Sequence, residues 1–171
     1  AQAAHGGVQD GGEVLLAAGD LLIDLGPDVL TASMLHGHPL TQVRYCLQTH
    51  AHADHVTGSW LMHEATGCAI GLAETARAEN VTLPLHHGDR VAFGNRFVEV
   101  RSTPGHTDGC ISFVLDDQSM AFTGDALLVR GCGRCDFQQG NAHTLWASIT
   151  EQIFSLPDSC LLYPGHDYTG R

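Results

Sequence analysis

The feature that most limits how this 171-residue chain can fold is a cluster of histidines directly after an apolar segment. The segment QVRYCLQT, residues 42–49, is typical of a buried strand, and His50-x-His52-x-Asp54-His55 follows it. Histidines two positions apart on a loop can direct both imidazoles at one point, and the following Asp and His can turn to a neighbouring point. The alternative is a polar loop that carries histidines by chance. Four metal-ligand side chains at one strand end favour a metal site.

Three further apolar segments end in the same way, each in a glycine-containing turn with one metal-ligand side chain at its tip. These side chains are His106 in STPGHTDG, Asp125 in AFTGDAL and His166 in LYPGHDY. Taken singly each turn is a weak signal, because one histidine after Pro-Gly is more often structural. Strand ends of a sheet sandwich converge on one edge, so the four segments together predict a single site. The spacing alone allows either one metal or a zinc pair.

The rest of the chain predicts paired strands with helices between them, which is typical of sheets covered by helices in one α/β domain. Turn residues indicate three hairpins, over 13–26, 89–105 and 110–125. Further strands are predicted in CAIGLA and over 159–166, and helices over 27–38, 57–67 and 143–156. Residues 1–12 are small and polar and are predicted to form a flexible lead-in, which leaves a single domain over 13–171.

Composition argues against several classes of partner. The formal net charge is −11, with 8 Lys and Arg against 19 Asp and Glu, which disfavours nucleic acid and anionic membranes. No apolar run approaches the roughly 18 residues that a membrane span needs. Several of the six cysteines lie in apolar, strand-like segments. They are interpreted as reduced thiols that fill the core, as expected in a reducing, intracellular compartment.

The order of the metal-ligand side chains resembles that of the metallo-β-lactamase fold superfamily, from about Leu21 to the end of the chain. The resemblance implies an αββα sandwich, with mixed, mostly antiparallel sheets and helices outside. THAHADHVTGS, VEVRSTPGHTDGC, MAFTGDALLVRGCGRCDFQQG and IFSLPDSCLLYPGHDYTG are together similar to the persulfide dioxygenase family, also called the sulfur dioxygenase or ethylmalonic encephalopathy protein family. The stretch RGCGR-x-DFQ-G, residues 130–140, is the most diagnostic, because hydrolase relatives generally lack it.

The resemblance implies an oxidoreductase with one Fe(II) per chain, held by His50, His106 and Asp125. Two histidines and one carboxylate are the ligand set of non-haem iron(II) oxygenases. The implied reaction oxidises glutathione persulfide with O₂ and water to sulfite and glutathione, a step of sulfide detoxification. Four other side chains would then orient ligands and water, or form a vacant second metal site: His52, Asp54, His55 and His166.

The resemblance also bears on the pocket and on the setting. Arg134, in the diagnostic stretch, could shape the pocket or pair with Asp136 or Asp167, and a surface arginine is the alternative. Asp167 could hydrogen-bond across the site or stabilise its own turn. The implied location is the mitochondrial matrix for a eukaryotic source and the cytoplasm for a bacterial one, and a homodimer is left open.

Two other functions stay open. A glyoxalase II-like thiolester hydrolase would use the same side chains to hold two metals and a bridging hydroxide, and a degenerate domain would bind without catalysis.

The chain departs from the family at Cys135, usually Thr, which creates the pair Cys132-Gly-Arg-Cys135, and at Gly165, usually Ala. Both ends are expected to be shorter than in the family, whose C-terminal segment contributes to the glutathione pocket.

Overall fold

Two β-sheets face each other in the computed structural model, which describes residues 8–9, 13–16, 21–24, 42–51 and 57–167. The first sheet has six strands in chain order: β1 Val8–Gln9, β2 Glu13–Leu16, β3 Leu21–Ile23, β4 Tyr45–Leu47, β5 Ala69–Ala73 and β6 Leu83–Leu85. The second has the order β11-β10-β9-β8-β7: β7 Arg90–Phe93, β8 Arg96–Ser102, β9 Ile111–Leu115, β10 Met120–Gly124 and β11 Leu161–Pro164.

The strand directions bring several strand ends to a common edge. In the first sheet β1, β2 and β3 pair antiparallel, and β3, β4, β5 and β6 pair parallel. In the second sheet β7 to β10 are antiparallel neighbours, and β11 runs parallel to β10. The carboxyl ends of β3 and β4 therefore lie side by side. Those of β8, β10 and β11 lie at one edge of the second sheet, with β9 between β8 and β10.

The main core lies between the sheets and determines which side chains point inward. Alternate residues of β7 and β8 are buried, as a half-buried strand requires. All residues of β9 are buried, because its outer face is also covered, where Val114 packs with Leu156. The inter-sheet cluster comprises Leu21, Ile23, Leu47, Ala73, Leu85, Val91, Phe93, Val98, Val100, Ile111, Phe113, Leu115 and Phe122.

Helices cover the outer faces, which gives the αββα arrangement. Helix α1, Ser59–Thr66, packs on β4 and β5 and ends at Gly67, whose left-handed φ of 75° suits glycine. Helix α2, Ala142–Ser148, is capped by Asn141 and continues as a π-helix over Ile149–Ile153. None of the helices in the described residues is long and apolar enough to cross a bilayer.

The predicted elements agree with the structure except at a few places. The three hairpins, the helix over 57–67 and the last strand are confirmed, and the helix over 143–156 is confirmed with its second half as a π-helix. The strand over 42–49 is shorter, Tyr45–Leu47. Strand β6 was missed because Pro84 lowers strand propensity, which an edge strand tolerates. The predicted helix over 27–38 lies outside the described residues.

The predicted lead-in, residues 1–12, contains one element of the sheet. Val8–Gln9 pairs antiparallel with Glu13–Val14 and forms the edge of the first sheet. Small and polar residues gave no signal for this strand, because a short edge pairing rests on backbone hydrogen bonds rather than on an apolar pattern.

Candidate metal centre

Metal-ligand side chains follow the carboxyl ends of four strands at one edge of the sandwich. His50 comes after β4, His106 after β8, Asp125 directly after β10 and His166 after β11. The two sheets are tied together here, because the N–H of Ile111 at the start of β9 donates to the carbonyl of Thr49 at 2.8 Å. The fold therefore brings residues that are distant in sequence to one place.

Two imidazoles and one carboxylate form the centre of this site. The Nε2 atoms of His50 and His106 lie 4.0 Å and 3.6 Å from Oδ2 of Asp125. The two rings are arranged edge to face, with centroids 5.1 Å apart and planes at 76°. One ligand atom from each of the three residues lies within 4.8 Å of the other two, close enough to hold one metal ion.

The tautomer of His106 is fixed by a backbone carbonyl. Its Nδ1 lies 2.6 Å from the carbonyl oxygen of Arg134. A carbonyl can only accept, so Nδ1 carries the proton and donates it. The lone pair is then on Nε2, the nitrogen that faces Asp125, as metal-ligating histidines require.

His50 is held in the same tautomer by a chain of hydrogen bonds from Asp24, at the end of β3. The Asp24 carboxylate accepts from the backbone N–H of Thr49 at 2.6 Å and from its hydroxyl at 2.7 Å. Because the hydroxyl proton is used there, Thr49 Oγ1 accepts from Nδ1–H of His50, at 3.1 Å. The lone pair of His50 is therefore also on Nε2.

Replacing Asp24 with Asn is expected to reverse the direction of the hydrogen bonds between residue 24, Thr49 and His50. The Asn amide nitrogen would donate to Thr49 Oγ1, and the hydroxyl would then donate to Nδ1 of His50, which places the imidazole proton on the ligand nitrogen Nε2. Metal affinity should fall roughly 10–100-fold, as for other outer partners of metal ligands, measured by competition with a chromophoric chelator. Asp108→Asn, at an exposed position, is the control. Unchanged affinity in Asp24→Asn would contradict this role.

The donor set fits a divalent cation. His50, His106 and Asp125 have only 4%, 2% and 5% of their surfaces exposed, so water cannot fully solvate their polar atoms. Oδ1 of Asp125 is buried, and no hydrogen-bond donor among the described residues meets it. A buried carboxylate without a donor is costly unless a cation compensates its charge.

The diagnostic stretch 130–140 packs directly against two of the ligands. The N–H of Gly133 donates to the backbone carbonyl of Asp125 at 2.8 Å. A Cβ atom at position 133 would lie 2.3 Å from that carbonyl oxygen and 2.7 Å from Nδ1 of His106. Only glycine allows this approach, which places the next residue, Arg134, so that its carbonyl accepts from His106.

The other predicted site residues have different positions. His166 is 27% exposed, and its Nε2 lies 3.7 Å from Oδ2 of Asp125. The Arg134 side chain is exposed and forms a two-point ion pair with Asp136, at 2.8 Å and 3.1 Å, so that its carbonyl rather than its guanidinium contacts a ligand. Asp167 is exposed beside His166. Three predicted residues lie outside the described part of the chain: His52, Asp54 and His55.

The positions that depart from the family lie beside the site. Cys132 is exposed, and Cys135 is half-buried against the apolar side of α2; both are free thiols. A Cβ atom at Gly165 would lie 2.5 Å from Oδ1 of Asp125. The absence of a side chain at Gly165 therefore leaves this carboxylate oxygen open on that side.

Sequence reasoning missed Asp24, Thr49 and Gly133. Asp24 follows the apolar run LLI just as Asp125 follows AFTG, so the same rule of an acid at a strand end could have identified it. Thr49 and Gly133 act through a hydroxyl and through a missing side chain, and neither is a metal-ligand type.

Comparison with known proteins agrees with this geometry. The profile of the metallo-beta-lactamase superfamily matches residues 14–166. Human "Persulfide dioxygenase ETHE1, mitochondrial" is 54% identical over 127 residues, 74% of this chain and 50% of the human protein. A hydroxyacylglutathione hydrolase of Cereibacter sphaeroides is 38% identical over 148 residues, 85% of this chain and 55% of that protein. The chain thus spans about half the length of the curated relatives it matches.

A solved structure aligns over a larger share of its length. The crystal structure of ETHE1 from Myxococcus xanthus superposes with a TM-score of 0.87 at 37% identity and covers 99% of this chain and 78% of that one. The fold of this chain agrees with these matches. The chain therefore belongs to the metallo-beta-lactamase superfamily and, within it, to the ETHE1 persulfide dioxygenase family.

Proposed function

We propose that this protein is an iron(II)-dependent dioxygenase that oxidises glutathione persulfide with O₂ and water to sulfite and glutathione. The observation that carries the proposal is the buried set of His50, His106 and Asp125, because two histidines and one carboxylate are typical of non-haem iron(II) oxygenases. The contacts of stretch 130–140 with His106 and Asp125 support it further. The similarity to human, mouse and bovine persulfide dioxygenases supports the substrate class.

Iron(II), when bound, supplies the one-electron chemistry that allows ground-state dioxygen to react with a persulfide sulfur. His50 and His106 present neutral imidazoles to it, because each keeps its proton on Nδ1. Asp125 contributes the negative charge that partly neutralises the cation. Three protein ligands would leave coordination positions for the two reactants, whose proximity would raise the rate.

Burial and proton placement are further contributions of the chain. The near-complete burial of the three ligands excludes bulk water, which strengthens electrostatic interactions and limits side reactions of oxygen species. His166 is the partly exposed member of the group. Its Nε2 can therefore take up the proton that the persulfide group releases and pass it to solvent.

The cellular location is inferred from the relatives. The human, mouse and bovine proteins are named mitochondrial. This supports the mitochondrial matrix as the location if the source is a eukaryote. Glutathione persulfide and O₂ are the small-molecule partners in this proposal.

One observation favours a second candidate, a thiolester hydrolase with two metals. Three imidazole Nε2 atoms lie within 4.0 Å of the same oxygen of Asp125, from His50, His106 and His166. A carboxylate placed among three histidines can bridge two metal ions, as two-metal hydrolysis requires. The hydroxyacylglutathione hydrolases among the relatives are less similar, at 38% identity or below.

Oxygen consumption and metal content separate the two functions. Anaerobically purified protein should contain about one iron per chain and take up O₂ when glutathione persulfide is added, because one ferrous ion fits the three-residue donor set. The same protein should not hydrolyse S-lactoylglutathione measurably. Two zinc ions per chain together with thiolester hydrolysis would contradict the proposed dioxygenase function and support the hydrolase function.

A further inference from the structure

Two buried cysteines are in contact on the face of the first sheet that α1 covers. The Sγ atoms of Cys46 and Cys68 lie 3.3 Å apart. Cys46 is 0% exposed and Cys68 is 2% exposed, in a small apolar cluster with Leu22, Val43 and Met62. A disulfide bond is about 2.05 Å long, so a small movement would join the sulfur atoms.

Cys68 lies in the turn between α1 and β5, whereas Cys46 lies inside a strand. Cys46 lies within β4, whose partner β5 begins at Ala69, so Cys46 is held by strand pairing. Cys68 precedes β5 and follows Gly67, the glycine that ends α1. The short distance between the sulfur atoms therefore joins a strand residue to a residue in the turn after the helix.

The two thiols have different chemical characters. When one proton has been lost from the pair, the remaining S–H donates to the other sulfur. This hydrogen bond, together with Thr66 and His63 beside Cys68, lowers the pKa of Cys68, and the pKa of Cys46 is raised. Thiolate is the nucleophilic form of cysteine. The lowered pKa favours Cys68 as the attacking sulfur, with Cys46 as the thiol that reacts second.

We propose that Cys46 and Cys68 form a redox-active dithiol that small, uncharged oxidants convert to an internal disulfide. With hydrogen peroxide, the Cys68 sulfur attacks one oxygen, an S–O bond forms, the O–O bond breaks and the departing hydroxide takes up a proton to become water. The Cys46 sulfur then attacks the sulfenic sulfur of Cys68. The S–S bond forms, the S–O bond breaks and a second water leaves with the Cys46 proton. Two electrons pass from the thiols to the peroxide.

The disulfide would enclose the segment that carries one of the three candidate metal ligands, His50. The loop closed between Cys46 and Cys68 contains His50 and the whole histidine cluster. Closing a loop of this length restricts the unfolded chain and should raise the midpoint of thermal unfolding by roughly 5–10 °C. Because both sulfur atoms are buried, glutathione disulfide is too large to reach them, so a mixed disulfide should not form.

Trypsin provides a direct test, because both cysteines fall in one peptide. The chain has Arg44 and Arg77 but no Lys or Arg between them, so Tyr45–Arg77 contains Cys46 and Cys68 and no other cysteine. After treatment with hydrogen peroxide or, in parallel, diamide, followed by denaturation and alkylation, this peptide should be two hydrogen atoms lighter and carry no label. Dithiothreitol should restore two labels. Oxidised glutathione should leave both thiols free to be labelled.

A disulfide between Cys132 and Cys135 would give a different result in this test. Arg134 separates Cys132 from Cys135, so a disulfide between them would join two different tryptic peptides. Cys46→Ala should abolish the loss of two hydrogen atoms and the gain in thermal stability, and Cys132→Ser should keep both. Two labels on the wild-type peptide after both oxidants would overturn the proposal without any variant. Added oxygen on Cys68 without a disulfide, or a glutathione adduct, would overturn it as well.

Discussion

Replacing Asp125 with Asn is expected to abolish metal retention and oxygen consumption together. Asp125 is the only anionic member of the buried three-residue set, and both imidazole Nε2 atoms lie within 4.0 Å of its Oδ2. An amide has no charge to compensate the cation. Changes to outer partners of ligands already cost roughly 10–100-fold in affinity, so loss of a ligand should cost more than about 100-fold. Metal analysis after anaerobic purification and an oxygen electrode measure the two effects.

The Asp125→Asn variant should still fold, which separates metal loss from unfolding. In metal-free protein, Oδ1 of Asp125 is buried and no described residue donates to it, so a neutral amide should not lower thermal stability. Asp136→Asn is the matched control, because Asp136 is exposed and pairs with Arg134. It should keep full metal content and activity. A full complement of metal in Asp125→Asn would remove the carboxylate from the ligand set.

The positions of the candidate ligands could be predicted because each follows a strand that the sequence marks clearly. An apolar run that ends at a glycine turn shows where a strand stops, and the sandwich brings such ends to one edge. This reasoning identified His50, His106 and Asp125, whose proximity the structure shows. It also predicted His166, which lies 3.7 Å from Asp125.

The supporting contacts could not be predicted in this way, because they depend on tertiary packing between distant segments. The hydrogen bond from Thr49 to Asp24 follows from the parallel pairing of β3 and β4 across a long connection. The contact of Cys46 with Cys68 depends on how α1 returns to β5. Both pairs combine residue types that have many other uses, so neither has a sequence signature.

Arg134 shows how residue type alone can mislead. A guanidinium in a diagnostic stretch favours a role for the charge, and the structure instead has that side chain exposed and paired with Asp136. The contact of Arg134 with the candidate ligand His106 is made by its backbone carbonyl, which any residue could provide. The stretch 130–140 therefore needs a particular backbone path, and Gly133 makes that path possible because it has no side chain.

Replacing Gly133 with Ala should disrupt the metal site by displacing the backbone that contacts Asp125 and His106. The new Cβ would lie 2.3 Å from the carbonyl oxygen of Asp125 and 2.7 Å from Nδ1 of His106, distances at which the neighbours must move. Both neighbours are buried, so the segment has to withdraw, and the hydrogen bond from His106 to Arg134 is lost. Metal affinity should fall roughly 10–100-fold. Overpacking should also destabilise the fold by about 1–3 kcal/mol, measured by thermal unfolding.

Gly131→Ala is the control that makes this prediction specific. Gly131 lies in the same stretch, an added Cβ there would meet no atom within 4 Å, and neither glycine has a positive φ, so backbone preference is the same for both. The Gly131 variant should stay within about 0.5 kcal/mol of the parent and bind metal normally. Equal effects of the two substitutions would mean that the stretch needs glycine for flexibility. A loss confined to Gly133→Ala would show that the close approach of this backbone fixes the tautomer and position of His106.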